Sequence, residues 1–161
     1  MKIGFVSLGC SKNLVDSEKM MGMIRSGNHE LVHNAAEAEA IIINTCGFIN
    51  SAKEEAINTI FQMAEYKKQN CKKLIVVGCL AQRYKKQLEE EIPEIDAVIS
   101  IKEYPHLHEI LKDLLDGHDL VSYDKCERKV SSKPWTAYLK IAEGCSNHCT
   151  YCAIPLIRGD N

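Results

Sequence analysis

Residues 40–46 read AIIINTC, and this stretch decides the fold class of the chain. Ala40–Asn44 is apolar almost without a break, whereas a strand with one wet face would alternate apolar and polar residues. Two further runs, Lys2–Leu8 and Lys73–Val77, share this composition. Continuous apolar runs of this length are typical of parallel strands that are buried on both faces. The sequence therefore predicts a sheet that is covered from both sides.

Segments with helical spacing of apolar residues lie between these strands. Helices are predicted at Leu14–Ile24, Ser51–Lys68, Leu80–Ile92 and Pro105–Leu115, and two shorter strands at Asp96–Ser100 and Leu120–Tyr123. Ser51 and Glu54 match a capping box at the start of the second helix. The alternation of strand and helix indicates an α/β fold, a parallel sheet with helices on both faces.

The composition changes after residue 123. We expect one domain over residues 1–123, a charged, serine-containing linker over 124–135, and the start of a second unit over 136–161. Thr136–Ile141 is predicted to be a strand that leads directly into a cysteine-rich loop. Residues from Asp124 onward are expected to be less well fixed than the first domain, because they lack most of their packing partners.

The bulk composition excludes several classes of protein. The chain has 161 residues and a net charge of −2, so no overall field attracts it to nucleic acid or to a membrane surface. No segment is long enough to span a bilayer, and the apolar stretch at the N-terminus is too short for a signal peptide. We therefore expect a cytoplasmic chain, in which eight cysteines suggest metal binding or catalysis rather than disulfides.

Three cysteines, which we call the first triad, share a position relative to the predicted strands. Cys10 follows FVSLG, Cys46 follows IIINT and Cys79 follows LIVVG, and a glycine adjoins each of them. The carboxyl ends of parallel strands lie at one edge of a sheet, where ligands bind. The sequence predicts a shared metal site at this edge. The alternative is three buried structural thiols, since free cysteine is often buried.

Three further cysteines, the second triad, lie in EGCSNHCTYC at residues 143–152. Cys145, Cys149 and Cys152 follow a C-x3-C-x2-C spacing. A closed zinc site requires four ligands, and His148 or Cys126 are the candidates for a fourth in a zinc-binding structural module. An iron–sulfur cluster held by only three thiolates would instead leave one iron open to a small molecule. Three ligands therefore suggest chemistry more than scaffolding.

The spacing C-x3-C-x2-C after a strand is the signature of the radical S-adenosylmethionine enzymes. The segments SLGCSKNLVDSE, INTCGFI, VVGCLAQRY and AYLKIAEGCSNHCTYCAIPLIRG make the whole chain resemble the N-terminal part of the methylthiotransferases of that family. GCSKNLVDSE together with AYLKIAEGC is similar to the branch that modifies a ribosomal protein. The branch that modifies tRNA adenosine, which often shows a GCQMN-like first motif, is the alternative.

The resemblance implies a role for each triad. The first triad would hold an auxiliary [4Fe–4S] cluster, and the second would hold the [4Fe–4S] cluster that binds and reduces S-adenosyl-L-methionine. Tyr151 would lie beside the adenine of that cofactor. The implied reaction attaches a methylthio group to the β-carbon of an aspartate in a small-subunit ribosomal protein, by a radical from S-adenosylmethionine and sulfur associated with the auxiliary cluster. Flavodoxin or ferredoxin would supply electrons.

The resemblance also implies that the chain is a fragment. The radical domain of the family is a partial α/β barrel, and residues 136–161 would be its first strand and cluster loop. A parallel barrel needs a crossover of a dozen or more residues for each further strand. We therefore expect a truncated radical domain and a chain that is inactive by itself.

Overall fold

The computed structural model describes all 161 residues, Met1–Asn161, and its centre is a five-stranded parallel sheet. The strands are β1 (Lys2–Ser7), β2 (Glu30–Val32), β3 (Ala40–Thr45), β4 (Lys73–Gly78) and β5 (Ala97–Ile99). Their order across the sheet is β2-β1-β3-β4-β5, and every neighbouring pair is parallel. The predicted parallel sheet is confirmed. Its strand order reverses between β1 and β3, the position at which doubly wound folds bind ligands.

Five α-helices accompany the sheet. They are α1 (Ser11–Ser26), α2 (Asn50–Ala64), α3 (Cys79–Glu91), α4 (Leu107–Leu114) and α5 (Ile154–Arg158), with short 3-10 helices at Ala35–Glu37, Glu65–Lys68 and Ile101–His106. None of these helices has both the length and the apolar character that crossing a membrane requires.

The helices cover both faces of the sheet, as the continuous apolar strands predict. On one face, Met20 of α1 and Leu107 of α4 pack with Ile42 of β3. On the other face, Ile60 of α2 and Leu88 of α3 pack with neighbouring residues of the same strand and of β4. Successive side chains of a strand point to opposite faces. Every residue of β3 is therefore buried, and its apolar run carries no polar alternation.

Some predicted elements differ from the structure. Leu120–Tyr123 forms no strand, since the Val121 amide donates to Ser26 Oγ at 2.9 Å instead of to a strand. Thr136–Ile141 also forms no strand, because no neighbouring strand lies beside it, and Leu139 and Ile141 are exposed. The short strand β2 was not predicted, because none of its three residues is buried and no apolar run marks it.

The helix starts differ as well. Ser51 lies inside α2, which begins at Asn50 without a side-chain cap, so the predicted capping box is wrong. A capping box does form at Ser100 and Glu103, at the start of the 3-10 helix that contains Pro105. α4 itself begins only at Leu107, directly after this 3-10 helix.

The predicted linker lies against α1. The buried carboxylate of Glu18 accepts hydrogen bonds from Arg128 Nε at 2.6 Å and from the Ser131 amide at 2.6 Å. The Lys129 amide donates to the Glu18 carbonyl at 3.1 Å. Beyond these contacts the chain runs without regular structure until α5. Glu18 therefore anchors residues 128–131 in two ways: its carboxylate binds the Arg128 side chain and the Ser131 amide, and its main-chain carbonyl binds the Lys129 amide.

Candidate functional site

The first triad gathers at the carboxyl edge of the sheet. Cys10, Cys46 and Cys79 follow β1, β3 and β4, which are adjacent strands. In the ladder, Ser7 pairs with Asn44, and Thr45 pairs with Gly78. The register therefore places the ends of all three strands side by side, and the fold brings the three predicted site residues to one edge.

The loop after β1 passes closely over Cys46. Gly9 has a φ of 91°, and a Cβ added there would lie 2.6 Å from Cys46 Cβ and 3.2 Å from Cys46 Sγ. A side chain at this position would thus clash with Cys46. Glycine supplies the positive φ and permits the close approach of the loop. The loop after β1 therefore packs directly on Cys46.

A buried asparagine holds these strand ends together. Asn13 Nδ2 donates to the Leu8 carbonyl at 3.1 Å and to the Thr45 carbonyl at 3.0 Å. Its Oδ1 faces Cys79 Sγ at 3.5 Å. Asn44 Nδ2 in turn donates to the Asn13 carbonyl at 2.8 Å. Because buried amides are costly unless they are paired, these bonds fix the edge in one arrangement.

The thiols of the first triad differ in their surroundings. Cys46 and Cys79 are buried, whereas Cys10 is exposed at the start of α1. Burial raises the pKa of the Cys79 thiol, the guanidinium of Arg158 acts in the opposite direction, and the other two cysteines raise it further. Cys10 and Cys46 therefore lie close enough to Cys79 to act on its charge. An ionised Cys79 needs either a cation or a metal beside it.

The second triad lies on a loop whose two ends are tied together. The Cys145 amide donates to the Gly159 carbonyl at 3.0 Å, and Ser146 Oγ donates to the Asn161 carbonyl at 2.8 Å. Within the loop the Cys152 amide donates to the Cys149 carbonyl at 2.9 Å. The loop places all three cysteines within eight residues between its tied ends.

The second triad and Tyr151 are more open to solvent than the first triad. Cys149 is exposed, Cys145 and Cys152 are half-buried, and Tyr151 is 89% exposed. His148 Nε2 lies 3.0 Å from Asp160 Oδ1. Cys126 Sγ lies 3.2 Å from the Lys19 carbonyl on α1. The two candidates for a fourth zinc ligand are thus engaged with other groups.

The donor set of both triads is chemically uniform. Thiolates are soft ligands that suit zinc and iron–sulfur clusters rather than magnesium or calcium. No three or more histidine, cysteine, aspartate or glutamate side chains converge in a geometry that would hold a metal ion. The three adjacent strand ends offer cysteine thiols alone, which is the donor set that holds iron–sulfur clusters.

Arg158 connects the two triads. Its Nη2 lies 3.6 Å from Cys79 Sγ and donates to Asn13 Oδ1 at 2.7 Å. The neighbouring residue, Gly159, accepts the hydrogen bond from the Cys145 amide. One residue thus joins the edge of the sheet to the loop that carries the second triad.

The sequence analysis did not predict the buried polar residues of α1. Asn13, Asp16 and Glu18 are fully buried, although a helix in this position is expected to bury an apolar face. One signal was available, since Asn13, Asp16 and Ser17 recur at helical spacing on one face directly after Cys10. A polar face beside a cysteine at a strand end indicates a site rather than a solvated surface.

Comparison with known proteins gives two findings. Residues 2–100 match the model of the uncharacterized protein family UPF0004. The chain is also similar to curated proteins named ribosomal protein uS12 methylthiotransferase RimO, with 54% identity to that of Alkaliphilus oremlandii, 52% to that of Clostridioides difficile and 50% to that of Caldicellulosiruptor saccharolyticus. Each match covers 99% of this chain but only 37–39% of the relative.

Proposed function

The chain belongs to the UPF0004 family, and from this we propose that it forms part of a radical S-adenosylmethionine methylthiotransferase that acts on a ribosomal protein. The similarity to the uS12 methylthiotransferases along nearly the whole chain supports the reaction class. The position of Cys10, Cys46 and Cys79 after three adjacent strands, at one edge of the sheet, is the observation that carries the proposal.

In this proposal each triad holds one [4Fe–4S] cluster. Cys10, Cys46 and Cys79 bind the auxiliary cluster at the edge of the sheet, and Cys145, Cys149 and Cys152 bind the cluster that takes S-adenosylmethionine. When bound, these groups supply radical hydrogen abstraction and sulfur for a methylthio group. The protein contributes position, because three thiolates leave one iron open to a ligand.

The side chains of this chain have defined tasks in the proposal. Gly9 lets the loop that carries Cys10 pass close to Cys46, and Asn13 fixes the strand ends that carry the ligands. Tyr151, exposed beside Cys152, is available to pack against the adenine of S-adenosylmethionine. Aromatic rings contribute apolar contact area and stack on planar partners.

The substrate and the partners follow from the relatives. Their names support uS12 as the substrate, and we propose an aspartate of that protein as the modified residue, with flavodoxin or ferredoxin as the electron donor. The chain spans less than two fifths of the length of these relatives. We propose residues 1–123 as the auxiliary-cluster domain, 124–135 as its connection and 136–161 as the start of the radical domain, without turnover by the 161-residue chain alone.

A chimera tests the function directly. Residues 1–161 replace the matching segment of the Alkaliphilus oremlandii relative, and the purified, reconstituted protein is incubated with uS12, S-adenosylmethionine and a reductant. We expect uS12 to gain the mass of one methylthio group. The same chimera with Cys46→Ala should give none. Modification of tRNA instead of uS12 would assign the other branch, and no product from either substrate would contradict the proposal.

A further inference from the structure

A fully buried carboxylate lies on α1 between the two triads. Asp16 has no solvent exposure, and it accepts hydrogen bonds from Tyr123 Oη at 3.0 Å, Arg158 Nη1 at 2.7 Å and Lys140 Nζ at 2.5 Å. Burying an ionised carboxylate is costly unless cations and hydrogen bonds accompany it. Both cations come from residues 136–161. The first domain therefore contains a charge that the second segment neutralises.

Asp16 stabilises the charged forms of Arg158 and Lys140. Burial disfavours their charged forms, yet Asp16 keeps the pKa of Arg158 and of Lys140 above their usual values. Glu143, half-exposed, bonds to both cations, at 3.0 Å from Arg158 Nη1 and 2.7 Å from Lys140 Nζ. Two acids and two bases thus form one network that docks the cysteine loop on α1.

Arg158 does more than neutralise Asp16. Its side chain is only 2% exposed, and its Nη2 lies between Asn13 Oδ1 and Cys79 Sγ. The planar guanidinium presents several donors in a fixed fork, so that one orientation satisfies α1, the cysteine loop and the Cys79 thiol together. A lysine ammonium lacks that fork. The geometry therefore requires arginine and not merely a positive charge.

We propose that Arg158 is a positioning residue that sets the second triad against the first and donates a hydrogen bond to the Cys79 sulfur. The part of this proposal that concerns the loaded auxiliary cluster rests on the proposed function. The docking of the loop and the contact with Cys79 do not, because both exist without any cofactor. A hydrogen bond from a cation to a ligand sulfur favours the more negative, reduced form of a cluster.

The first test uses the chain without metal. Arg158→Met should accelerate hydrogen exchange at the Cys145 and Gly159 amides, which hold the base of the cysteine loop, by about tenfold to a hundredfold, the effect of losing hydrogen bonds between charged groups. Arg158→Lys should give a smaller increase in both rates. Arg128→Met is the matched control, because Arg128 also ties the later segment to α1, through Glu18, but does not touch Cys79. It should leave both rates unchanged.

The second test uses the reconstituted chain with Cys149→Ala, so that only the auxiliary cluster is titrated. Arg158→Met should lower the reduction potential of that cluster, Arg158→Lys should restore part of the loss, and Arg128→Met should not change it. Unchanged rates in the metal-free Arg158→Met chain would overturn the positioning role. An unchanged potential would overturn the hydrogen bond to sulfur. If the parent binds no iron, the proposed function fails, while the metal-free rates still decide the positioning role.

Discussion

The first triad is carried by the ends of three buried strands, whereas the second triad is carried by a loop without regular structure. Cys46 and Cys79 continue directly from β3 and β4, whose residues are almost entirely buried. Cys149 lies on an exposed loop that depends on its tied ends and on the network around Asp16. The packed core thus fixes the position of the first triad, whereas charged contacts fix the position of the second triad.

The largest expected effect separates the two triads by their metal. Cys46→Ala should abolish the auxiliary cluster and leave S-adenosylmethionine cleavage by the chimera, whereas Cys149→Ala should abolish cleavage itself. Each change would remove one of the three ligands proposed for its own site. Iron content and cleavage are measured on both variants after anaerobic reconstitution. Equal loss of cleavage in both would show that the triads do not divide the work.

A large effect on stability should be confined to the sheet. Ile43 of β3 is fully buried, so Ile43→Ala should lower the free energy of unfolding by about 2–5 kcal/mol through lost burial and a cavity. Leu139, 83% exposed in the later segment, is the matched control. Leu139→Ala should change the free energy by no more than about 0.5 kcal/mol. Urea denaturation followed by circular dichroism gives both values, and similar losses would remove the contrast between the regions.

A smaller effect is expected at the turn into Cys79. Gly78 has a φ of 99°, and an added Cβ would lie 2.3 Å from Asn44 Oδ1 and 2.5 Å from the Thr45 carbonyl. Gly78→Ala should therefore lower the free energy of unfolding by roughly 1–3 kcal/mol, from the unfavourable φ together with these clashes. Gly117 also has a positive φ, but nothing lies within 4 Å of its added Cβ. Gly117→Ala should cost less, and an equal cost would contradict the crowding at Gly78.

The smallest effect is the loss, at low pH, of the hydrogen bonds by which the Glu18 carboxylate holds residues 128–131 on α1. Burial raises the pKa of this carboxyl, but hydrogen bonds from Ser131 and Arg128 outweigh it and hold the pKa below its usual value. The anchor therefore contributes fully above the unfolded pKa of about 4.3 and is lost as the pH falls through the lower folded pKa.

The Ser131 amide, which donates to Glu18, reports this titration by NMR. We expect its chemical shift to change with a midpoint below that of a free glutamate. Glu18→Gln should remove the change. A midpoint at or above the free value would show that residues 128–131 are not held by this charge.

The sequence was sufficient to predict the sheet and the position of the first triad. Continuous apolar runs such as Ala40–Asn44 have one common structural outcome, and a cysteine after each run lies at a known edge of a parallel sheet. The sequence did not reveal that Thr136–Ile141 forms no strand. An apolar segment forms a strand only where a neighbouring strand accepts its hydrogen bonds. Asp16 and Arg158 were missed because 142 positions separate them and each requires the other for its burial.

We propose above that Cys10, Cys46 and Cys79 together hold one cluster at the edge of the sheet. The most direct measurement is the Mössbauer spectrum, with iron and sulfide analysis, of the chain with Cys145→Ala, Cys149→Ala and Cys152→Ala after anaerobic reconstitution with ⁵⁷Fe. We expect one [4Fe–4S] cluster per chain, and we expect it to be lost when Cys46→Ala is added. A chain that binds no iron, or that keeps its cluster without Cys46, would contradict it.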